Sequence, residues 1–175
     1  PPVSVPGIRL HEALARGLGK TAQVHCMPQI VKEVRTISGK GFSLTIENEG
    51  RPHHVRSKGV VLCTGRFLGK GLIAERSGIR EPLLGLPVIQ PESRRLWHHS
   101  DFFHAKGHLL SLAGIQVDDR FRPLTASGRP YAKNLYAAGS ILSNSNWTRL
   151  KCGSGVAVAT AHAAVSAFEK EWQAV

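Results

Sequence analysis

Cysteine is scarce in this chain, and acidic residues are few. The 175 residues include three cysteines, Cys26, Cys63 and Cys152. An odd number at wide spacing offers neither a disulfide framework nor a Cys-x-x-Cys metal site. A reduced, cytosolic compartment is the default expectation. Cys26 and Cys63 fall in apolar, strand-like runs, where a thiol is expected to act as a small hydrophobe. No apolar run approaches the roughly 18 residues that span a bilayer, and no signal peptide is legible. Aromatic residues make up 6% of the chain, too few for an aromatic-interleaved nucleic-acid surface. Twelve Asp and Glu against 23 Lys and Arg leave a formal charge of +11. That excess raises nucleic acid or an anionic membrane as partners, but the basic residues are scattered and never form a run of five. The charge is read as a solvated surface, and no nucleic-acid partner is expected.

Three catalytic or nucleotide motifs are also missing. No Gly-x-Ser-x-Gly elbow supports hydrolase chemistry. The stretch 65–71 (Gly-Arg-Phe-Leu-Gly-Lys-Gly) is one residue too short for a phosphate loop, and Gly71 stands where a magnesium-holding Ser or Thr is needed. No Gly-x-Gly-x-x-Gly follows a strand anywhere. The histidines (His98, His99, His104 and His108, with the pair His53 and His54) complete no zinc pattern, because adjacent residues on a strand face opposite sides.

What is present are two strand-like runs that end at glycine. Residues 59–65 (Gly-Val-Val-Leu-Cys-Thr-Gly) read as a strand buried on both faces, as in parallel sheets. Residues 134–140 (Asn-Leu-Tyr-Ala-Ala-Gly-Ser) are a second such run, followed by a polar loop and then Cys152-Gly153-Ser154-Gly155 opening a helix of small residues. Ligands in open α/β sheets sit beyond the carboxyl ends of the strands, and helix N-termini offer free N–H groups. One shared ligand site between the two ends is the natural expectation.

The Val-Leu-Cys-Thr-Gly run resembles the Ala-Thr-Gly strand of flavoproteins of the two-dinucleotide-binding-domain class. Residues 134–140 and 152–156 resemble their C-terminal flavin-contacting motif. Residues 71–82 (Gly-Leu-Ile-Ala-Glu-Arg-Ser-Gly-Ile-Arg-Glu-Pro), Leu86-Pro87-Val88, the opening 5–10 and the run 152–156 are similar to the B subunits of anaerobic glycerol-3-phosphate dehydrogenase. The resemblance covers nearly the whole chain. It implies an α/β, partial FAD/NAD(P)-binding, Rossmann-like flavoprotein fold with a β-meander, lacking the N-terminal glycine-rich unit. With that unit missing and Pro1-Pro2 at the start, the chain is expected to be the C-terminal half of a longer protein.

The resemblance also implies a division of labour. Residues 1–65 would be the C-terminal part of a flavin-binding domain, 66–110 an insertion facing substrate or partner, and 111–175 the flavin-contacting strand–loop–helix. The expected cofactor is FMN, with FAD as the alternative. Thr64, Gly65, Gly139, Ser140, Gly153, Ser154, Gly155 and Val156 are the expected cofactor-binding residues. Many related flavoproteins have an acid where Ser140 stands, bonded to the ribityl chain. Arg76, Arg80 and Glu81 are the substrate candidates, because an arginine fork suits a phosphate, although these charges equally fit a surface loop or a contact between subunits. The implied activity is oxidation of glycerol 3-phosphate, with electrons passed through an iron–sulfur protein to quinone. The implied partners are two companions in the same complex. One is the catalytic A-type chain, and the other is a membrane-associated iron–sulfur C-type chain. Through the latter a cytoplasmic protein would associate with the inner membrane. A non-catalytic scaffold built on the same fold is the alternative.

Along the chain, Leu10, Leu14 and Leu18 recur on one helical face over residues 8–20. Residues 23–27 and 30–37 read as strands, the latter burying Ile30 and Val34, with Val31 or Ile37. Residues 41–47 alternate Phe42, Leu44 and Ile46 with Ser43, Thr45 and Glu47, a half-buried strand. Asn48-Glu49-Gly50 has turn chemistry, and 52–57 returns as the partner strand. Residues 74–77 suggest a helical turn, 115–121 a strand and turn, 135–138 a buried strand and 155–172 the last helix.

Overall fold

The computed structural model describes residues 4–21, 23–38, 41–48 and 50–173. The first element is helix α1 (Val5–Leu18), capped by the Ser4 hydroxyl, which accepts from the Gly7 N–H at 3.3 Å. Its leucine stripe is present but exposed, Leu14 by 57%. Residues 23–27, expected as a strand, follow as irregular, exposed chain. No described strand lies beside them, and a strand without a neighbour has no ladder to satisfy its backbone groups. Cys26 is exposed there, not a buried hydrophobe.

Three antiparallel strands form the meander: β1 (Ile30–Ile37), β2 (Gly41–Asn48) and β3 (Arg51–Ser57), in spatial order β1-β2-β3. The alternation in β2 holds. Phe42 and Ile46 are buried, and Leu44 packs on the same core. In β1 the register shifts between Val31 and Glu33, so Val31 faces Ile46 and Val34 faces Leu44. That bulge puts Val31 and Val34, three residues apart, on one inward face. It leaves Ile30 at the strand's open end, 64% exposed, where burial was expected. Of the turn expected at 48–50, Glu49 lies outside the described residues; the flanking pair Asn48 and Arg51 are register partners.

The chain then enters β4 (Val60–Leu62), which runs parallel to β9 (Leu135–Ala137) with Val60 opposite Leu135 and Leu62 opposite Ala137. Leu135, Tyr136 and Ala137 are fully buried, whereas β4 is covered on one face only. Leu62 is buried, but Val61 and Cys63 are exposed. The continuous apolar run there does not report burial on both faces.

Between these two strands the chain builds a small hairpin and a second two-stranded antiparallel pair. One joins β5 (Ile73–Ala74) to β6 (Ile79–Arg80), where a helical turn was expected. Gly78 adopts φ +146°, and the Gln90 side chain brackets Ile79, accepting its N–H at 2.6 Å and donating to its carbonyl at 2.9 Å. A side chain eleven residues away completes the extended backbone. The other pairs β7 (Val88–Ile89) with β8 (Gly114–Ile115). Leu72, Ile79, Leu86, Trp97, Ile115 and Ile141 join Phe42 and Leu62 in the main core.

The chain ends in a short helix α2 (Trp147–Leu150) and a long helix α3 (Gly153–Gln173). Ala164 of α3 packs against Tyr136 and Ala138. Glu171 accepts from the Tyr136 hydroxyl at 2.7 Å and from Arg120 at 3.1 Å, while Arg122 pairs with Asp118 at 2.7 Å. Burial alone would raise the Asp118 carboxyl, but N–H donors of Arg122 and Arg120 outweigh it and hold it low. Burial and the Glu171 carboxylate together push the Tyr136 phenol up. These bonds lock the end of α3 to the strand below it.

Candidate cofactor site at two strand ends

The parallel pairing of β4 with β9 brings the two glycine-terminated runs side by side. The ladder continues one step, with the Ala138 N–H donating to the Leu62 carbonyl at 3.1 Å. Beyond it both chains turn sharply at glycines in the left-handed region, Gly65 at φ +70° and Gly139 at φ +80°. L-residues with side chains rarely adopt that conformation. A Cβ on Gly65 would sit 3.5 Å from the Ser140 hydroxyl, so the two ends form one floor. A Cβ on Gly139 would meet nothing within 4 Å, so the space above it is open.

Helix α3 joins this floor through Thr160. Its hydroxyl accepts from the Gly139 N–H at 2.8 Å and donates to the Val156 carbonyl at 2.6 Å. The first turn of α3, with Gly153, Ser154, Gly155 and Val156, therefore lies one turn from the Gly139 bend. The four residues differ in surroundings. Gly155 and Ser154 are exposed, and a Cβ on Gly155 meets nothing, whereas one on Gly153 would press the Trp147 ring at 3.2 Å. Gly153 is thus held close against the Trp147 ring, which a side chain there would have to push aside.

The floor is held by a residue that no sequence pattern singles out. Arg66 follows the Thr64-Gly65 end directly. Its guanidinium donates to the carbonyls of Ser140 at 2.6 Å, Leu142 at 3.1 Å and Ser145 at 3.0 Å, and also to Ser111. Among the described residues no carboxylate shares in this arrangement. Burial without a counter-charge lowers the Arg66 pKa. The available signal was a lone arginine immediately after a strand-ending glycine. Gly71 is the second omission. It is buried, and a Cβ there would collide with the Gly65 carbonyl and the Thr64 hydroxyl.

The substrate candidates lie apart from this floor. Arg76 and Arg80 are on the β5–β6 hairpin, both exposed, with Arg80 paired to Glu75 at 2.6 Å. Glu81 is 2% exposed, and its carboxylate accepts the N–H groups of Leu83 and Leu84 at 2.8 Å and of Leu86 at 3.2 Å. It nucleates the turn 81–86 and is not free to meet a substrate. No hydrogen bond or ion pair among the described residues links the three to the strand ends. The histidine loop is exposed as well, and no group of three or more metal-ligating side chains is placed to hold an ion among the described residues.

One observation tests whether the floor suits a flavin. The Thr64 hydroxyl is buried and has no partner among the described residues, although buried polar groups are nearly always paired. It sits at the carboxyl end of β4 and faces Gly71, where an added Cβ would lie 2.6 Å from it. An unpaired hydroxyl, two left-handed glycines and a small-residue helix start fit a planar ring with acceptor and donor atoms along its edge.

Comparison with known proteins places this geometry. The B subunit of anaerobic glycerol-3-phosphate dehydrogenase from Vibrio vulnificus strain YJ016 is 34% identical over 166 residues, covering 94% of this chain and 37% of the relative. The protein named as the probable B subunit of the same enzyme from Halobacterium salinarum strain R1 is 30% identical, covering 95% and 38%. That from Pasteurella multocida is 38% identical over 112 residues, covering 61% and 25%. The chain thus spans little more than a third of the length of the first two of these relatives. No solved structure matches it. A family model described as "FAD binding domain" matches residues 1–156, which takes in the meander, both strand ends and the start of α3, and the chain belongs to that family.

Proposed function

We propose that the chain forms part of a flavin-dependent oxidoreductase subunit of an anaerobic sn-glycerol-3-phosphate dehydrogenase. The observation that carries this is the shared floor of Gly65, Gly139 and Ser140, open over Gly139, with the unpaired Thr64 hydroxyl buried at the end of β4. The family description names FAD, so FAD is preferred to FMN. Thr64, Gly65, Gly139, Ser140 and the α3 start at Ser154, Gly155 and Val156 hold the flavin, with Gly153 shaping the loop. When bound, the flavin supplies the two-electron acceptor for oxidation of glycerol 3-phosphate to dihydroxyacetone phosphate. Ser140 offers a neutral hydroxyl to the cofactor, and Arg66 keeps the loop 140–145 in place around it. Electrons leave through the iron–sulfur C-type chain toward quinone, and the A-type chain is the catalytic companion. Of the two arginine candidates, Arg80 is paired with Glu75 and Arg76 has no ion-pair partner among the described residues; Arg76 is retained as a phosphate contact, Arg80 as a weaker one.

A second reading has one observation in its favour. Glu81 is the only buried carboxylate among the described residues, and it is taken up by backbone N–H groups. With no free acid or base on the floor, the protein would be a scaffold with a flavin-type fold. The absorbance spectrum of the purified full-length protein separates the two, and acid release followed by chromatography identifies the flavin. Stoichiometric FAD supports the first reading; a colourless protein carrying no flavin supports the second.

A further inference from the structure

Leu68, just beyond β4, is the most exposed large apolar side chain among the described residues at 93%, but the next two, Phe103 and Phe102, are adjacent and lie away from the strand ends. Residues 98–109 leave the core as an excursion with a defined neck. The Leu110 N–H donates to the Trp97 carbonyl at 3.1 Å, and the His99 N–H donates to Nδ1 of His108 at 3.1 Å. A contact between the His108 Nε2 and the Phe102 carbonyl at 3.1 Å, together with the stacked rings of His99 and His104, 3.7 Å apart, fixes the shape of the tip. At that tip Phe102 and Phe103 are 77% and 87% exposed, edge to face with centroids 5.1 Å apart. Two adjacent phenylalanines held in solvent by a built loop are costly to leave bare.

A second segment lies alongside. A Cβ on Gly107 would be 3.4 Å from the Asn146 amide and 3.7 Å from the Arg149 guanidinium, so α2 flanks the loop. Leu150 of α2 is 68% exposed, and Arg149 and Lys151 are exposed on either side of it. Lys106 is exposed on the loop itself. Charge around the pair is one-sided. Between Glu92 and Asp118 the only acid is Asp101, whose carboxylate accepts the Phe103 N–H at 2.9 Å, and from Arg120 to Phe168 there is no Asp or Glu at all.

From this juxtaposition of bare aromatic side chains and uncompensated cations we infer that the 98–109 loop and α2 form a direct docking surface for an anionic lipid bilayer. Aromatic rings settle at the headgroup level while Lys and Arg beside them are drawn to acidic headgroups. No described helix is long and apolar enough to cross a membrane, so the contact is peripheral: Phe102, Phe103 and Leu150 enter the interface, and Lys106, Arg149 and Lys151 face the headgroups. The inference is independent of the flavin reading, because none of these residues touches the strand-end floor.

The test uses the full chain, co-sedimented with vesicles of phosphatidylcholine alone and of phosphatidylcholine mixed with phosphatidylglycerol. Binding to the mixed vesicles, little to the neutral ones, and loss of binding at high salt are expected. Replacing Phe102 and Phe103 together by Ser weakens binding by roughly tenfold or more. Each of Arg149→Gln and Lys151→Gln weakens it by roughly fivefold. Because all four side chains are exposed, thermal unfolding and flavin content stay as in the parent, which separates failure here from failure of the flavin site. No sedimentation with anionic vesicles, or sedimentation unchanged by the Phe102/Phe103 substitution, overturns the inference. So does a double variant that binds vesicles normally but no longer assembles with a protein partner, since the patch would then be a protein interface.

Discussion

The Arg66 guanidinium donates to the Ser140 carbonyl at 2.6 Å across 74 residues of sequence, tying the end of β4 to the loop that follows β9. With further bonds to Ser111, Leu142 and Ser145, one side chain holds the irregular segments that frame the cofactor floor. Only the planar, five-donor guanidinium can serve so many carbonyls at once. Arg66→Lys keeps the charge but only part of the bonding. Hydrogen bonds to charged groups contribute about 1.5–3 kcal/mol each, non-additively. Arg66→Ala should therefore lower stability by about 3–5 kcal/mol, and Arg66→Lys should recover less than half of that loss. Chemical denaturation of the full chain measures both. Equal stability of the lysine variant and the parent would show that charge alone suffices.

Glu81 and Arg80 are neighbours with opposite prospects. The Arg80–Glu75 pair is exposed on both sides, and such pairs are worth about 1 kcal/mol or less. The buried Glu81 carboxylate serves three N–H groups. Glu81→Ala should cost about 3 kcal/mol, which for a chain of this size is a fall in Tm of about 6–12 °C. Arg80→Ala should shift Tm by less than about 3 °C. Thermal unfolding followed by circular dichroism checks the contrast; comparable shifts would contradict the assignment of Glu81 to the turn.

The sequence revealed those elements whose structure depends on their own residues. Phe42, Leu44 and Ile46 alternate because β2 has one buried face, and that pattern survives in the fold. The two glycine-ended runs announced their turns because Gly65 and Gly139 need φ above zero, which is a local property. Elsewhere the deciding group is distant. Residues 74–77 read as a helical turn because the Gln90 side chain that stabilises the extended backbone of Ile79 is invisible to any local pattern. Residues 23–27 have strand composition, yet a strand exists only with a neighbour. The bulge that exposes Ile30 is set by pairing with β2. Glu81 looked like a substrate ligand because a charged residue beside arginines is ordinarily exposed, and its burial depends on the chain turning back over it at Leu83, Leu84 and Leu86. Arg66 gave no pattern at all, since its partners are four carbonyls drawn from two remote loops.

Gly153 and Gly155 now separate as probes of the cofactor site. Valine at 153 must displace the Trp147 ring, so Gly153→Val should lower both flavin content and stability. A side chain at 155 meets no protein atom, so Gly155→Val should leave the fold largely intact, with a small loss from β-branching in a helix, and reduce flavin content sharply by filling the approach to the floor. Cys152→Ser should do much less, and His99→Ala should leave flavin content unchanged. Flavin per polypeptide and circular dichroism are measured on the full chain. Full flavin occupancy in Gly155→Val would remove the α3 start from the cofactor site.

The histidine neck makes the 98–109 loop sensitive to acid, and the sign follows from His99. Loss of solvent around its ring, then the positive charges of His104 and His108, hold its pKa below the ordinary histidine value, with Asp101 opposing and Lys106 adding to the depression. Above about pH 6.5 the ring is neutral in both open and closed loops, and protonation takes no part. As the pH falls below that value the open loop takes up a proton before the closed one does. Closure therefore weakens progressively on the acid side, until the pH passes below the lowered His99 pKa. Cleavage by chymotrypsin at Phe102 and Phe103, normalised at each pH to a small peptide substrate, should accelerate as the pH is lowered through the range of about 7 to 5. His99→Phe, which keeps a flat ring on His104 but cannot take a proton, should flatten most of that dependence. A cleavage rate that does not change with pH in the parent would mean that the stacked rings do not hold the loop closed.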